Sequence, residues 1–235
     1  MIIEKRFNGP PHSGNGGYVC GMIAKEIENT VSVTLLKPPP LEVPMILTKE
    51  DEHWELRKNR TIIAKAEEGF VSIEPPVIPS MADAVLCESR YSGFEKHIFP
   101  ECFVCGPNRN EHDGLRLFAG ISGTKDYVAG PLRTFDNLYD SNGVMKTEFI
   151  WAALDCPGAY AITEISEEKF MLLGRMTVDI KEDIKKEDNL IVMGWYLGSD
   201  GKKNVSGTAI IDSDQNIKAV AKSIWIEVDS AQYID

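Results

Sequence analysis

No stretch of this 235-residue chain approaches the ~20 consecutive apolar residues that cross a bilayer, so no membrane span or membrane partner is expected. An excess of positive charge is also missing. Thirty-six acidic residues outweigh 25 Lys and Arg, leaving a net charge of −11, which excludes a general nucleic-acid or anionic-membrane binder. An anionic ligand would need a local basic pocket set against that field. The opening "MIIEKRFNGPP" has neither an apolar h-region nor a small-residue cleavage site, so it does not read as a secretory signal. Five cysteines, an odd number, fit a reducing cytoplasm better than a disulfide framework. The chain has one C-x-x-C, formed by Cys102 and Cys105, and no second. A closed zinc site needs four ligands, and His112 and Cys87 are the candidates to complete it, so neither a metal nor another cofactor is expected. Those two thiols read instead as small apolar groups in a turn.

What is present points to a packed domain. With 43% hydrophobic residues the chain can bury a sizeable core, as one large unit or two small ones. After the turn-rich "NGPPHSGNGG", Tyr18, Met22 and Ile23 fall at helical spacing, with Ser13 or Asn15 as cap and Asn29 as the closing residue. Strands are expected at 31–36, 45–50, 53–58 and 61–73, with "KNR" at 58–60 as a tight turn. Proline clusters then bracket a short helix candidate at 80–90. The second half repeats the order. "GLRLFAG" and "YVAGPLR" read as strands, "KTEFIWAALDCPGAYAIT" as a helix, and 170–180, 189–201, 204–215 and 218–229 as four more strands. Two units of one helix followed by an antiparallel meander are therefore expected, over 1–78 and 101–235, joined by a linker with a short helix at 79–100. A sheet wrapped around a helix buries it nearly all round, which accounts for the apolar texture of "FIWAAL".

That texture makes the one carboxylate of "EFIWAALDCPGAY" conspicuous. On a helix over 147–163, Asp155 would share a stripe with Trp151, Ala152 and Ala159, and burial would raise its pKa. A general base of that kind activates water. The competing reading is a solvated acid at a helix end. Pro157 removes an amide and disturbs the helix beside the acid. In "HSGNGG", Asn15, Gly16 and Gly17 stand where backbone amides at a helix start can receive a carbonyl oxygen, with His12 in reach. The competing reading there is glycine required for close packing.

"FNGPPHSGNGGYVCG", "CFVCGPNRNEHDGLRL" and "FIWAALDCPGAYA", with the order of elements over nearly the whole chain, resemble the hot-dog fold in its double form, as in acyl-CoA thioesterases. The fold class implied is α+β, a double hot-dog. "NGGYVCG" is similar to the Gly-Gly helix start of many hot-dog proteins, and "WAALDCPG" to the acid-bearing helix of type II and phenylacetate-type thioesterases. The resemblance implies hydrolysis of an acyl-CoA or another acyl thioester, with Asp155 as base and Asn15, Gly16 and Gly17 as oxyanion donors. Thr177, on the strand after the helix, is the implied water-orienting partner. A third partner, Gln on the last strand, has no match in 218–229, where Ser223 or Glu227 would stand in. Trp151 and Tyr18 are expected along the acyl pocket, and Arg175 toward the carrier, with Arg109, Arg116 and Arg133 as further basic candidates. The dehydratase branch is not supported: "HIFP" lacks its surroundings, and no Asp is followed five residues later by His. Cys156 has no His partner in the pattern and is discounted as a nucleophile. A homodimer of double hot-dogs is implied by the resemblance alone. The alternative function is a hot-dog protein that binds an acyl chain or small apolar ligand without turning it over.

Overall fold

The computed structural model describes residues 1–162, 169–186 and 188–229. Residue 163 of the expected helix and 230–235 of the expected second unit lie outside them.

Helix α1 (Gly16–Ala24) starts where the Asn15 side chain accepts the Tyr18 amide, one of the donors a helix start leaves orphaned. It closes well before Asn29, because the Glu26 and Ile27 amides fold back onto Ile23 and Ala24. Strands β1 (Val31–Leu35), β2 (Ile46–Lys49), β3 (His53–Lys58) and β4 (Thr61–Glu68) follow. Asn59 makes the β3–β4 turn at φ 52°, a left-handed conformation that Asn tolerates. The expected fourth strand stops at Glu68, since the Gly69 amide turns onto the Thr30 carbonyl.

Helix α2 (Met81–Glu88) is set by a capping box between Ser80 and Asp83. The second unit comprises β5 (Gly120–Ile121), β6 (Val128–Leu132), α3 (Thr147–Ala153), α4 (Cys156–Tyr160), β7 (Lys169–Ile180), β8 (Leu190–Asp200), β9 (Lys203–Ile211) and β10 (Ile217–Asp229). Most of "GLRLFAG" is not a strand. Leu115 and Leu117 donate to Phe103 and Val104 of the C-x-x-C loop, and Arg116 sits at φ 46°, which breaks the pleat.

Among the described residues all ten strands form one antiparallel sheet, ordered β2-β3-β4-β1-β7-β10-β9-β8-β6-β5. Outward from the centre the two sides run alike, β1-β4-β3-β2 on one and β7-β10-β9-β8 on the other, where β6 and β5 extend the edge. The seam pairs Ser32 with Thr177, Val33 with Met176 and Thr34 with Arg175. The alternation of side chains along the strands divides two apolar clusters. Val192, Ile210, Ala219 and Ala221 face the helices, whereas Ile191, Met193, Ala209, Ile211 and Val220 face outward. The outer cluster is covered by Val71, Ile73, Ile78, Met81 and Ala84 of the connecting segment. Strands β8 and β9 are therefore apolar on both faces along these stretches, whereas β7 alternates Met176 and Val178 with the polar Arg175, Thr177 and Asp179.

Helices α1 and α3 pack antiparallel inside the sheet. A Cβ at Gly17 would lie 2.5 Å from Asp155 Cβ and 2.6 Å from the Trp151 carbonyl oxygen. Only glycine permits this approach. The expected single helix over 147–163 is two helices, broken at Leu154 and Asp155. Asp155 has ψ −83°, off the helical value, and Thr208 Oγ1 donates to the Leu154 carbonyl at 2.8 Å, satisfying an acceptor near the break. Pro157 falls in the first turn of α4, where its missing amide would have been an orphan anyway.

Candidate active site

Asp155 stands at the break between α3 and α4, 3% exposed, with no side-chain cap to make for its own helix. One oxygen, Oδ2, accepts from Asn15 Nδ2 at 2.7 Å and from the Gly17 amide at 3.1 Å, both belonging to the other unit. The other, Oδ1, is buried without a hydrogen-bond partner. Burial pushes the pKa up to about 7; the Gly17 and Asn15 donors pull it back, and Cys102 adds to the rise. A carboxylate this basic takes a proton from water more readily than an exposed one.

Asp155 lines a cavity of about 320 Å³ between the units. Leu35, Phe99, Phe170, Leu173, Trp225 and Ile226 make its wall largely apolar, and Ser13 to Gly16 close one side. Gly16 is the first residue of α1, so its amide has no acceptor within the helix. Lys37 lines this cavity and also a neighbouring groove of about 580 Å³, which Lys58, Asn59 and Arg60 border.

Four of the five expected catalytic residues, Asn15, Gly16, Gly17 and Asp155, are together here. Asn15 and Gly17, read as oxyanion donors, instead hold Asp155. Thr177 is elsewhere. It alternates with Met176 and Val178, which face the helices, so its hydroxyl lies on the other side of the sheet, 2.6 Å from Ser32 Oγ. Arg175 has the same parity and meets Thr34 Oγ1 at 2.7 Å and Glu67 at 3.0 Å. Trp151 is 2% exposed in the core, and Tyr18 stacks on Phe7 with ring centroids 4.1 Å apart; neither lines the cavity. Ser223 is fully buried with an unpartnered hydroxyl, and neither it nor Glu227 lines the cavity. His12 is exposed. Arg109 is spent on Asp113 and on the Glu101 and Arg6 carbonyls, and Arg133 on Glu88. Arg116 lies 3.9 Å from Glu111.

The cavity also holds residues that sequence reasoning set aside. His97, read as a linker residue, lines it with Nδ1 accepting from the Phe99 amide at 3.0 Å. Cys102, Cys105 and Cys156 line it too, their sulfurs all within 4.8 Å of one another. His112 and Cys87, the expected companions of Cys102 and Cys105, are not in that cluster: His112 packs against Phe135, and Cys87 belongs to the outer core. No local signal brings Cys156 to a loop 54 residues earlier.

No family model matches the chain, and no curated protein matches its sequence. Its backbone aligns with that of a candidate thioesterase II from Thermobifida fusca over 92% of this chain and 88% of that one. The TM-score is 0.54 at 13% identity. The chain has the double hot-dog fold. Shorter alignments join one part of this double hot-dog to a thioesterase from Haemophilus influenzae, with 10% identity over 52% of this chain and 84% of that one, TM-score 0.46. Another joins it to a hypothetical thioesterase from Streptococcus pneumoniae crystallised with coenzyme A, with 12% identity over 44% and 82%, TM-score 0.41. Among the described residues of the double hot-dog, no helix is long and apolar enough to cross a membrane.

Proposed function

We propose that this double hot-dog protein hydrolyses acyl thioesters, with CoA as the carrier. The observation that carries the reading is Asp155: a buried carboxylate with one oxygen held by Asn15 and Gly17 and the other unpartnered, on an apolar cavity. In the proposed reaction Oδ1 takes a proton from a water as that water's oxygen attacks the thioester carbonyl. The Gly16 amide, at the positive end of α1, faces the developing oxyanion. Collapse breaks the C–S bond, and the proton passes from Asp155 to the departing sulfur, leaving a carboxylic acid and a thiol. Asn15 and Gly17 keep the carboxylate oriented. Thr177 has no part in these steps.

Lys37, Lys58 and Arg60 support CoA as the carrier. They gather at the cavity's mouth and the adjoining groove of a chain with net charge −11, and none makes a salt bridge among the described residues. Their chemistry suits the phosphates of a nucleotide.

The second reading, binding without turnover, is favoured by one specific observation: Asn15 and Gly17, the expected oxyanion donors, are engaged by Asp155 itself. Chromatographic measurement of CoA released from acyl-CoAs of graded chain length separates the two. Wild type is expected to turn over at least one chain length, and Asp155→Asn, which is nearly isosteric, to lose roughly 10²- to 10⁴-fold in kcat. Saturable acyl-CoA binding without CoA release would establish the second reading, and full activity in the Asn variant would remove Asp155 as the base.

A further inference from the structure

Five free cysteines are distributed unequally. Cys20 and Cys87 are solitary, each within an apolar core, and burial raises both thiol pKa values. Cys102, Cys105 and Cys156 come together on the wall of the cavity. The sulfurs of Cys102 and Cys156 are 3.8 Å apart. That is the edge of a tetrahedron whose centre lies ~2.3 Å from each vertex, the zinc–thiolate distance.

The loop carrying the first two thiols is held from several sides. The Cys102 amide donates to Phe99, the Gly106 amide to the Cys102 carbonyl, and Phe103 to Asn8, while Leu115 and Leu117 donate to Phe103 and Val104. The Tyr91 hydroxyl donates to the Cys105 carbonyl at 2.9 Å. A side chain at Gly106 would meet backbone atoms of Pro100 and Cys102 at 2.5 to 2.6 Å, so the turn requires glycine. Three sulfurs within 4.8 Å of one another, one pair already at the tetrahedral separation, favour zinc among the common divalent ions.

We propose that Cys102, Cys105 and Cys156 form a zinc site in the cavity wall, with the fourth coordination position taken by a small ligand from the cavity, water or a thiol. All three cysteines coordinate as thiolates, so their thiol protons are released to solvent on binding. Among the described residues no His, Cys, Asp or Glu donor joins the three sulfurs within 4.8 Å, so the fourth ligand comes from outside that set. The metal ties the loop before β5 to α4, the helix that follows Asp155. This inference does not depend on thioester turnover.

Metal analysis of the full chain, purified under reducing conditions without chelators, tests it. One equivalent of zinc per chain is expected, either co-purified or taken up by the chelator-stripped protein. Cobalt(II) titrated into the stripped protein should give a near-ultraviolet thiolate-to-metal band. Cys156→Ser should weaken that band by about a third and weaken cobalt affinity at least tenfold, whereas Cys87→Ser should leave both unchanged. Failure of the reduced wild type to bind zinc or cobalt stoichiometrically would overturn the site. So would an undiminished cobalt band in Cys156→Ser, or a Cys102–Cys105 disulfide whose reduction restores no metal binding. The wild-type stoichiometry decides the matter even if a variant fails to fold.

Discussion

Two acids seven residues apart, Glu148 in α3 and Asp155 just past its end, mark the two ends of the contact between α1 and α3. At one end Asp155 meets Gly17, at the other Glu148 meets Gly21, and both carboxylates are mostly buried. Their partners differ. Glu148 lies 3.4 Å from Lys25 Nζ, an ordinary opposite charge, and lines no cavity. Asp155 receives only neutral donors and faces an apolar cavity with one oxygen unpartnered. A buried carboxylate beside an ammonium has its charge balanced by an opposite one. One held by amides keeps its charge poorly solvated and is therefore basic. The same packing of a glycine against an acid thus produces an ion pair at one end and, at the other, a buried carboxylate held only by neutral donors on a cavity.

The largest expected effect comes from exchanging the two acids in turn. Asp155→Asn is expected to remove CoA release from acyl-CoA, and Glu148→Gln to leave kcat within about twofold, since it alters no group on the cavity. Equal losses from both would break the comparison. Next in size are the glycines. Gly17→Ala forces a methyl against Asp155 and Trp151, and unfolding by denaturant should show a loss of about 1–3 kcal/mol together with a fall in kcat. Gly21→Ala forces one against Glu148 Cα at 2.6 Å and should cost similar stability with less effect on kcat.

Smaller effects should come from the charges. Removing Lys58 and Arg60 together should raise KM for acyl-CoA by roughly fivefold, about 1 kcal/mol, with kcat unchanged. A thioester lacking the nucleotide should show no such change, and a parallel rise for both substrates would exclude a carrier contact. Glu148→Gln should lower thermal stability by no more than about 1 kcal/mol, because the pair is partly solvated. Asp155→Asn should raise the melting temperature at neutral pH, since it removes a charge that is buried among neutral partners. A lowered melting temperature would mean that Asp155 is a structural acid like Glu148.

Much of this arrangement is readable along the chain. The repeated order of one helix followed by a meander is local periodicity, and it led to the double hot-dog architecture confirmed by the strand order. Asn15 as cap and the Ser80 capping box are equally local, because a cap acts within one turn. The approach of Asn15, Gly17 and Asp155 was open to inference from the glycines beside an apolar acid-bearing helix. The face of Thr177 was legible too, because Arg175, Thr177 and Asp179 alternate with the apolar Met176 and Val178 along β7. Strands β8 and β9, apolar on both faces, carry no such signal.

By itself, then, the sequence determined what short-range forces control: helix starts, turns, strand runs and the presence of one acid in an apolar segment. Tertiary structure decided what that acid touches, that Thr177 meets Ser32 across the seam, and that Cys156 meets Cys102 and Cys105. Those contacts span 138, 145 and 54 residues, and only the closing of the sheet around its helices brings such distant groups within hydrogen-bonding or ligand distance.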